Sequence, residues 1–167
     1  LTQLLAGSEG TLGIITQAVL RLIPKPPAQA TLRATFDSVD AAVEAVNALI
    51  RARVVPATLE LVDGECLAAV ARYLGGAELA PPGTAGLLIL EADGMAQAVA
   101  EEARLIEAAC RAAGATQVLR AATEDERREL WRVRRELSPA IKTIATMKVN
   151  QDVVVPRGRV PELFRLV

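Results

Sequence analysis

Arg134, Ser138 and Lys142 recur at four-residue spacing, and Lys148, Asn150 and Asp152 follow at alternating positions. On a helix the first three share a face; on a strand the second three do. Two or three cations with a hydroxyl among them make an anion clamp, and arginine grips a carboxylate through two parallel N–H bonds. The same residues also fit the solvated face of an Arg-rich helix, because Arg127, Arg128, Arg132 and Arg135 lie nearby and read as exposed. A second stretch, Gly7-Ser8-Glu9-Gly10-Thr11-Leu12-Gly13-Ile14-Ile15-Thr16, sets glycines at three-residue spacing before a β-branched run. Glycines at that density mark a tight turn or a close approach of backbone to another group. Main-chain N–H groups in such a turn can hold phosphate or ring oxygens; a plain turn feeding a strand is the alternative.

Other chemistry is excluded by what the chain lacks. It has no histidine, so the commonest general base and metal ligand are missing. Cys66 and Cys110 are far apart and read as core thiols, not as a disulfide or metal pair. Trp131, the only tryptophan, reads as packing in a core or interface. Glu60 and Glu91 fall in strand-like segments and read as sheet-face carboxylates pointing to solvent, with one of them facing a substrate cavity as the alternative. The 167 residues are 51% hydrophobic with a formal net charge of −1, which fits a globular core and argues against disorder or a nucleic-acid binder. No apolar run approaches the roughly 18 residues that span a bilayer, and no segment has a signal-peptide layout.

The elements that must position these residues follow in order. Thr11–Ile23 is a strand candidate, and Pro24-Lys25-Pro26-Pro27 after it is stiff and extended, a domain boundary. Thr31–Phe36 alternates as a half-buried strand. Ser38 caps a helix to about Ala52, with Val39, Val43, Val46 and Ile50 on its buried stripe. Ala57–Val62 is a second strand, and Asp63 caps a short helix ended by Gly75-Gly76. Gly86–Glu91 is a third strand, a helix runs from Asp93-Gly94 to Ala113, and Thr116–Ala121 is a fourth strand. Thr123-Glu124-Asp125-Glu126 is a capping box, and the helix it opens should kink or split near Leu137 because Pro139 removes a donor. Lys148–Val155 reads as a last strand.

This order is α+β: a ferredoxin-like split βαβ antiparallel sheet with one extra helix between its second and third strands. The helices are expected on one face, and the other face must be solvated or covered by another part of the chain. Such a fold identifies no function, and a ferredoxin-like small-molecule-binding or dimerisation module without redox activity is one reading. The chain begins inside an apparent helix end and stops inside an apparent helix start, Pro161–Val167, so it reads as an excised fragment.

The wording of two motifs goes further. GSEGTLGIIT with a following apolar strand and Pro-Lys-Pro resembles the end of the FAD-binding domain in FAD-linked oxidases of the vanillyl-alcohol oxidase type, nearest to the glycolate oxidase flavoprotein subunit and the D-lactate and D-2-hydroxyglutarate dehydrogenases. Leu130-Trp131-x-x-Arg134 is similar to the L-W-x-x-R motif of that family's substrate-contacting helix, and Lys148-Val-Asn-Gln-Asp-Val-Val-Val-Pro156 to its K-x-x-x-D-V-x-V-P string. The resemblance implies that Arg134, Ser138 and Lys148 bind substrate, and that Gly7, Ser8, Glu9, Gly10, Thr11, Gly13 and Ile14 run beside FAD. It implies residues 1–27 as the end of the FAD domain with its linker, and 28–167 as an incomplete substrate cap. The family's H-x-G-D-G-N-x-H pattern, which carries catalytic and metal-binding histidines, is absent from this sequence, as is its glycine-rich pyrophosphate loop. No catalytic or metal-binding residue is therefore expected in this piece, which by itself should neither retain FAD nor turn over substrate. The implied parent oxidises a D-2-hydroxy acid to the 2-oxo acid. Its partners would be the rest of the FAD domain and iron-sulfur or other electron-transfer subunits, with a homo-oligomer allowed. Its place would be the cytoplasm or the periphery of the inner membrane.

Overall fold

The computed structural model describes residues 2–145, 147–148 and 152–166. After a short α1 (Thr2–Leu5), the elements are β1 (Ala28–Phe36), α2 (Val39–Arg51), β2 (Thr58–Asp63), α3 (Gly64–Tyr73), β3 (Gly86–Gly94), α4 (Ala96–Ala112), β4 (Gln117–Arg120), α5 (Glu124–Leu130), α6 (Arg132–Ile144) and α7 (Val160–Leu166). The strands form one sheet in the order β2-β3-β1-β4, every pair antiparallel. That is the split βαβ order expected from the sequence, with α3 as the extra helix.

The starts of α2, α3 and α5 are set by side-chain caps. Ser38 accepts from the Ala41 N–H, Asp63 from Cys66 and Thr123 from Glu126, each satisfying a donor that the first turn leaves open. The capping box is displaced by one residue on its return arm: Glu126 accepts from the Ala122 N–H, not from Thr123. Gly75 and Gly76 both take positive φ after α3, and the Gly76 N–H reaches back to the Ala71 carbonyl at 2.8 Å, a turn open to few other residues.

Pleating sends alternate residues of β3 into two cores. Leu88, Leu90 and Ala92 join Leu32, Ala34 and Phe36 of β1 under Ala42, Ala45 and Leu49 of α2 and Val99, Ala103, Ile106 and Cys110 of α4. Leu87 and Ile89 point the other way and pack with Val62, with Leu67 and Val70 of α3, and with Val133 and Ala140 of α6. The helices of the split βαβ thus share one face as expected. The second face is covered by α3 and α6, the covering left open by the sequence.

Several expectations about the elements need correction. Thr11–Ile23 forms no strand: no described strand lies beside it, and Ile14, Val19, Leu20 and Leu22 are exposed. A strand needs a ladder partner to satisfy its backbone. The helix opened by Thr123 divides at Trp131, not near Leu137, and Pro139 lies inside α6. The anchoring of Trp131, described below, fixes the division there. The Lys148–Val155 strand falls partly outside the described residues, including Asn150, and Asp152–Val155 has no regular structure.

Candidate substrate and cofactor-edge sites

The second sheet face is polar toward one end. The register aligns Thr31 and Thr58 with Glu91, and Arg33 and Glu60 with Ile89, so these five polar side chains share with Ile89 the face that α6 covers. Desolvation pushes the Arg33 guanidinium pKa down, opposed by the charge of Glu129.

Glu91 is 5% exposed, contrary to the solvent-facing reading. Its Oε1 accepts from the Thr31 hydroxyl at 2.6 Å and the Trp131 indole N–H at 2.8 Å; its Oε2 accepts from the Gln29 amide at 2.8 Å. Arg127 stands 3.5 Å from Oε1, its side chain only 36% exposed, so it is not a purely solvated arginine. A carboxylate survives burial only when its lone pairs are taken up this way. A signal for this was present in the sequence. Gly86–Leu90 is a continuous apolar run, the mark of a strand covered on both faces, so a glutamate extending it has no route to water.

Trp131 thereby ties the start of α6 to the middle of the sheet. Along α6, Arg134 and Ser138 stand one turn apart. The Lys148 ammonium donates to the Ser138 hydroxyl at 2.9 Å. Arg134 Nε donates to Glu60 Oε2 at 3.0 Å across 74 residues of sequence. Glu60 therefore faces α6 and pairs, where the sequence reading sent it to solvent. With Arg134 at 46% and Glu60 at 36% side-chain exposure, the pair contributes about 1 kcal/mol or less to stability. The three residues predicted to bind substrate are thus on one segment, with Ser138 and Lys148 in contact. Two cations and a hydroxyl in that arrangement can hold a carboxylate and an adjacent hydroxyl. An apolar cleft of about 390 Å³, lined by Val46, Ile50, Leu59, Leu61 and Val160, lies on the α2 side of the sheet and is not this site.

The Gly7–Ile14 stretch is an exposed turn. Gly7, Glu9 and Gly10 all have positive φ. The Thr11 N–H and hydroxyl both donate to the Ser8 carbonyl, at 2.9 and 2.6 Å. A Cβ at Gly7 or Gly10 would meet nothing within 4 Å. Those glycines are required by the backbone conformation, and they leave the main chain bare toward solvent. A flat cofactor edge fits such a surface. Among the described residues no group of three or more metal-ligating side chains occurs.

A split βαβ sheet with a basic, hydroxyl-bearing helix on its second face and a bare glycine turn ahead of it defines the class, an α+β domain. The comparisons give its family. Residues 25–167 match the family model described as "FAD linked oxidases, C-terminal domain", and the chain belongs to that family. The chain is 36% identical over its whole length to the glycolate oxidase subunit GlcD of Bacillus subtilis, covering 35% of that protein. It is 34% identical over 96% of its length to GlcD of Escherichia coli K12, covering 32%. It is 32% identical over 98% of its length to a probable mitochondrial D-lactate dehydrogenase of Danio rerio, covering 33%. The chain thus spans about a third of the length of these relatives. Among solved structures, an alkyldihydroxyacetonephosphate synthase superposes with a TM-score of 0.60 at 23% identity, over 85% of this chain and 29% of that one, which shows the shared fold.

Proposed function

We propose that this chain is the substrate-cap part of a flavin-dependent dehydrogenase that oxidises a short D-2-hydroxy acid, of the glycolate or D-lactate kind, to the 2-oxo acid. Residues 1–27 are the end of its FAD domain with the linker, and residues 28–167 belong to the cap. The observation that carries this reading is the arrangement on α6, where Arg134 and Ser138 lie one turn apart and the Lys148 ammonium reaches Ser138 at 2.9 Å. Family membership and relatives named as glycolate oxidase subunits and D-lactate dehydrogenases support it.

FAD, held elsewhere in the protein with the Gly7–Ile14 turn along one edge, would supply the acceptor for the hydride leaving C2. This chain's own residues bind and orient. Arg134 and Lys148 neutralise the substrate carboxylate and fix its plane. Ser138, already accepting from Lys148, has its hydroxyl proton to offer the same carboxylate. Holding the acid by its carboxylate leaves C2 as the atom presented to the cofactor, which is catalysis by positioning. The proton of the substrate hydroxyl leaves alongside that hydride, and no residue of this chain is assigned to take it. A partner protein as electron acceptor is supported by the word subunit in the relatives' names. No helix among the described residues is long and apolar enough to cross a membrane. We place the protein in the cytoplasm or at the inner-membrane periphery.

The test is anaerobic. The full-length flavoprotein is mixed in turn with glycolate, D-lactate and D-2-hydroxyglutarate, and the flavin absorbance is followed. Bleaching by one of them is expected, with Arg134→Ala lowering kcat/KM about 10- to 100-fold, the range for losing a charge-assisted hydrogen bond. A yellow protein bleached by none of them removes this substrate class. A full-length protein that takes up no FAD favours the ferredoxin-like binding module.

A further inference from the structure

We infer that Glu60 is a positioning residue for the substrate, acting through Arg134; the inference rests on the clamp proposed above. Arg134 engages Glu60 through Nε alone, at 3.0 Å to one carboxylate oxygen. A guanidinium carries five N–H donors in a rigid plane. Occupying the Nε side fixes that plane and leaves the terminal N–H groups as the edge that forks a carboxylate. Glu60 itself is fixed. It sits in β2 opposite Ile89, with Leu59 and Leu61 on either side packed against the first core. Its direction toward α6 is therefore set by the pleat and cannot reverse without exposing two leucines. A long arginine on a helix surface samples many rotamers, and a partner on the sheet removes that freedom before substrate arrives, which lowers the cost of binding.

Glu60 also brings a negative charge near the place where an anion is to bind. Both partners are more than one-third exposed, so water and salt screen that repulsion. Alignment outweighs it in this reading, and the two effects have opposite signs in experiment.

The test uses the full-length FAD-loaded protein with the substrate that bleaches it. Glu60→Ala removes both acceptor and charge; Glu60→Gln removes the charge and keeps an acceptor for Arg134. Glu60→Ala is expected to raise KM about tenfold with kcat within about twofold and FAD content unchanged, while Glu60→Gln stays within about threefold of the parent KM. Combining Glu60→Ala with Arg134→Lys should add less than the product of the two single effects, because both act through one contact. A KM that falls in both Glu60 variants means that repulsion dominates, and the inference is wrong. A lowered melting temperature with KM unchanged means a structural tie only, and also overturns it. If Arg134→Ala leaves KM unchanged, the clamp itself fails and takes Glu60 with it. If Arg134→Ala raises KM and Glu60→Ala does not, only the role of Glu60 is lost.

Discussion

The Trp131 indole N–H donates to Glu91 Oε1 at 2.8 Å, joining the point where α5 becomes α6 to the central strand β3. The bond is part-buried, and Glu91 is almost fully covered. Glu91→Ala strands the Trp131 and Thr31 donors together and is expected to cost about 2–4 kcal/mol, whereas Glu91→Gln, which keeps one acceptor oxygen, costs less. Urea unfolding followed by the emission of Trp131, the chain's only tryptophan, reads this directly. Equal stability in Glu91→Ala and the parent would show that the bond anchors nothing.

Pro139 occupies the interior of α6 and supplies no N–H to the Arg135 carbonyl. Pro139→Ala restores that donor and a better helix former, so unfolding free energy should rise by about 1–3 kcal/mol. A loss of stability would mean that a bend at Pro139 is required for α6 to follow the sheet.

The segment from Leu12 to Ile23 carries several apolar side chains in the open, Val19 at 97% exposure among them. None of α1 is buried either. Removing residues 1–24 should leave the melting temperature within about 2 °C, since no core contact is lost. Light scattering at rising concentration should fall, because an apolar patch of that size drives association. A large drop in melting temperature would reveal a packing role for the segment.

Burial pushes the Cys66 thiol up to about 11, helped by Asp63, and the Cys110 thiol up to about 12, helped by Glu107. In the unfolded chain both ionise near pH ~8.5. Below that, both states hold the protons and these thiols add no slope. Above it, the unfolded state releases protons that the folded state retains, so stability falls as pH rises from about 9 toward 11 and 12. Denaturant melts at pH 8 and 10 should show the loss, and Cys110→Ala should reduce its steepness whatever it does to the value at pH 8. An unchanged slope in that variant would assign the alkaline loss to other groups.

Much of this was legible in local sequence. The caps at Ser38, Asp63 and Thr123 and the glycines after α3 each report on contacts within a few residues, and each was found where expected; β1 was found as a strand, but buried on both faces, with Thr31 and Thr35 at 1% exposure where the alternation predicted a half-buried one. The grouping of Arg134 with Ser138 followed from helix periodicity alone. What escaped depends on distant partners. Glu60 and Glu91 are bound from 74 and 40 residues away, by Arg134 and Trp131; the apolar run before Glu91 marks that carboxylate as covered, but no local pattern names the partner of either one. Thr11–Ile23 failed the other way: its β-branched composition is that of a strand, but strand formation needs a neighbour, and the described residues provide none.

β3 is flanked by β1 and β2 and covered on both faces. Its amides can exchange with deuterated solvent only when the whole domain opens, while the four-residue edge strand β4 frays on its own. Glu91 sits in that slowest segment, and through Trp131 it tethers the helix that presents Arg134. In a hydrogen-exchange experiment the start of α6 should therefore be protected well beyond its exposure: the sheet's margins breathe while the residues that aim the clamp stay shut.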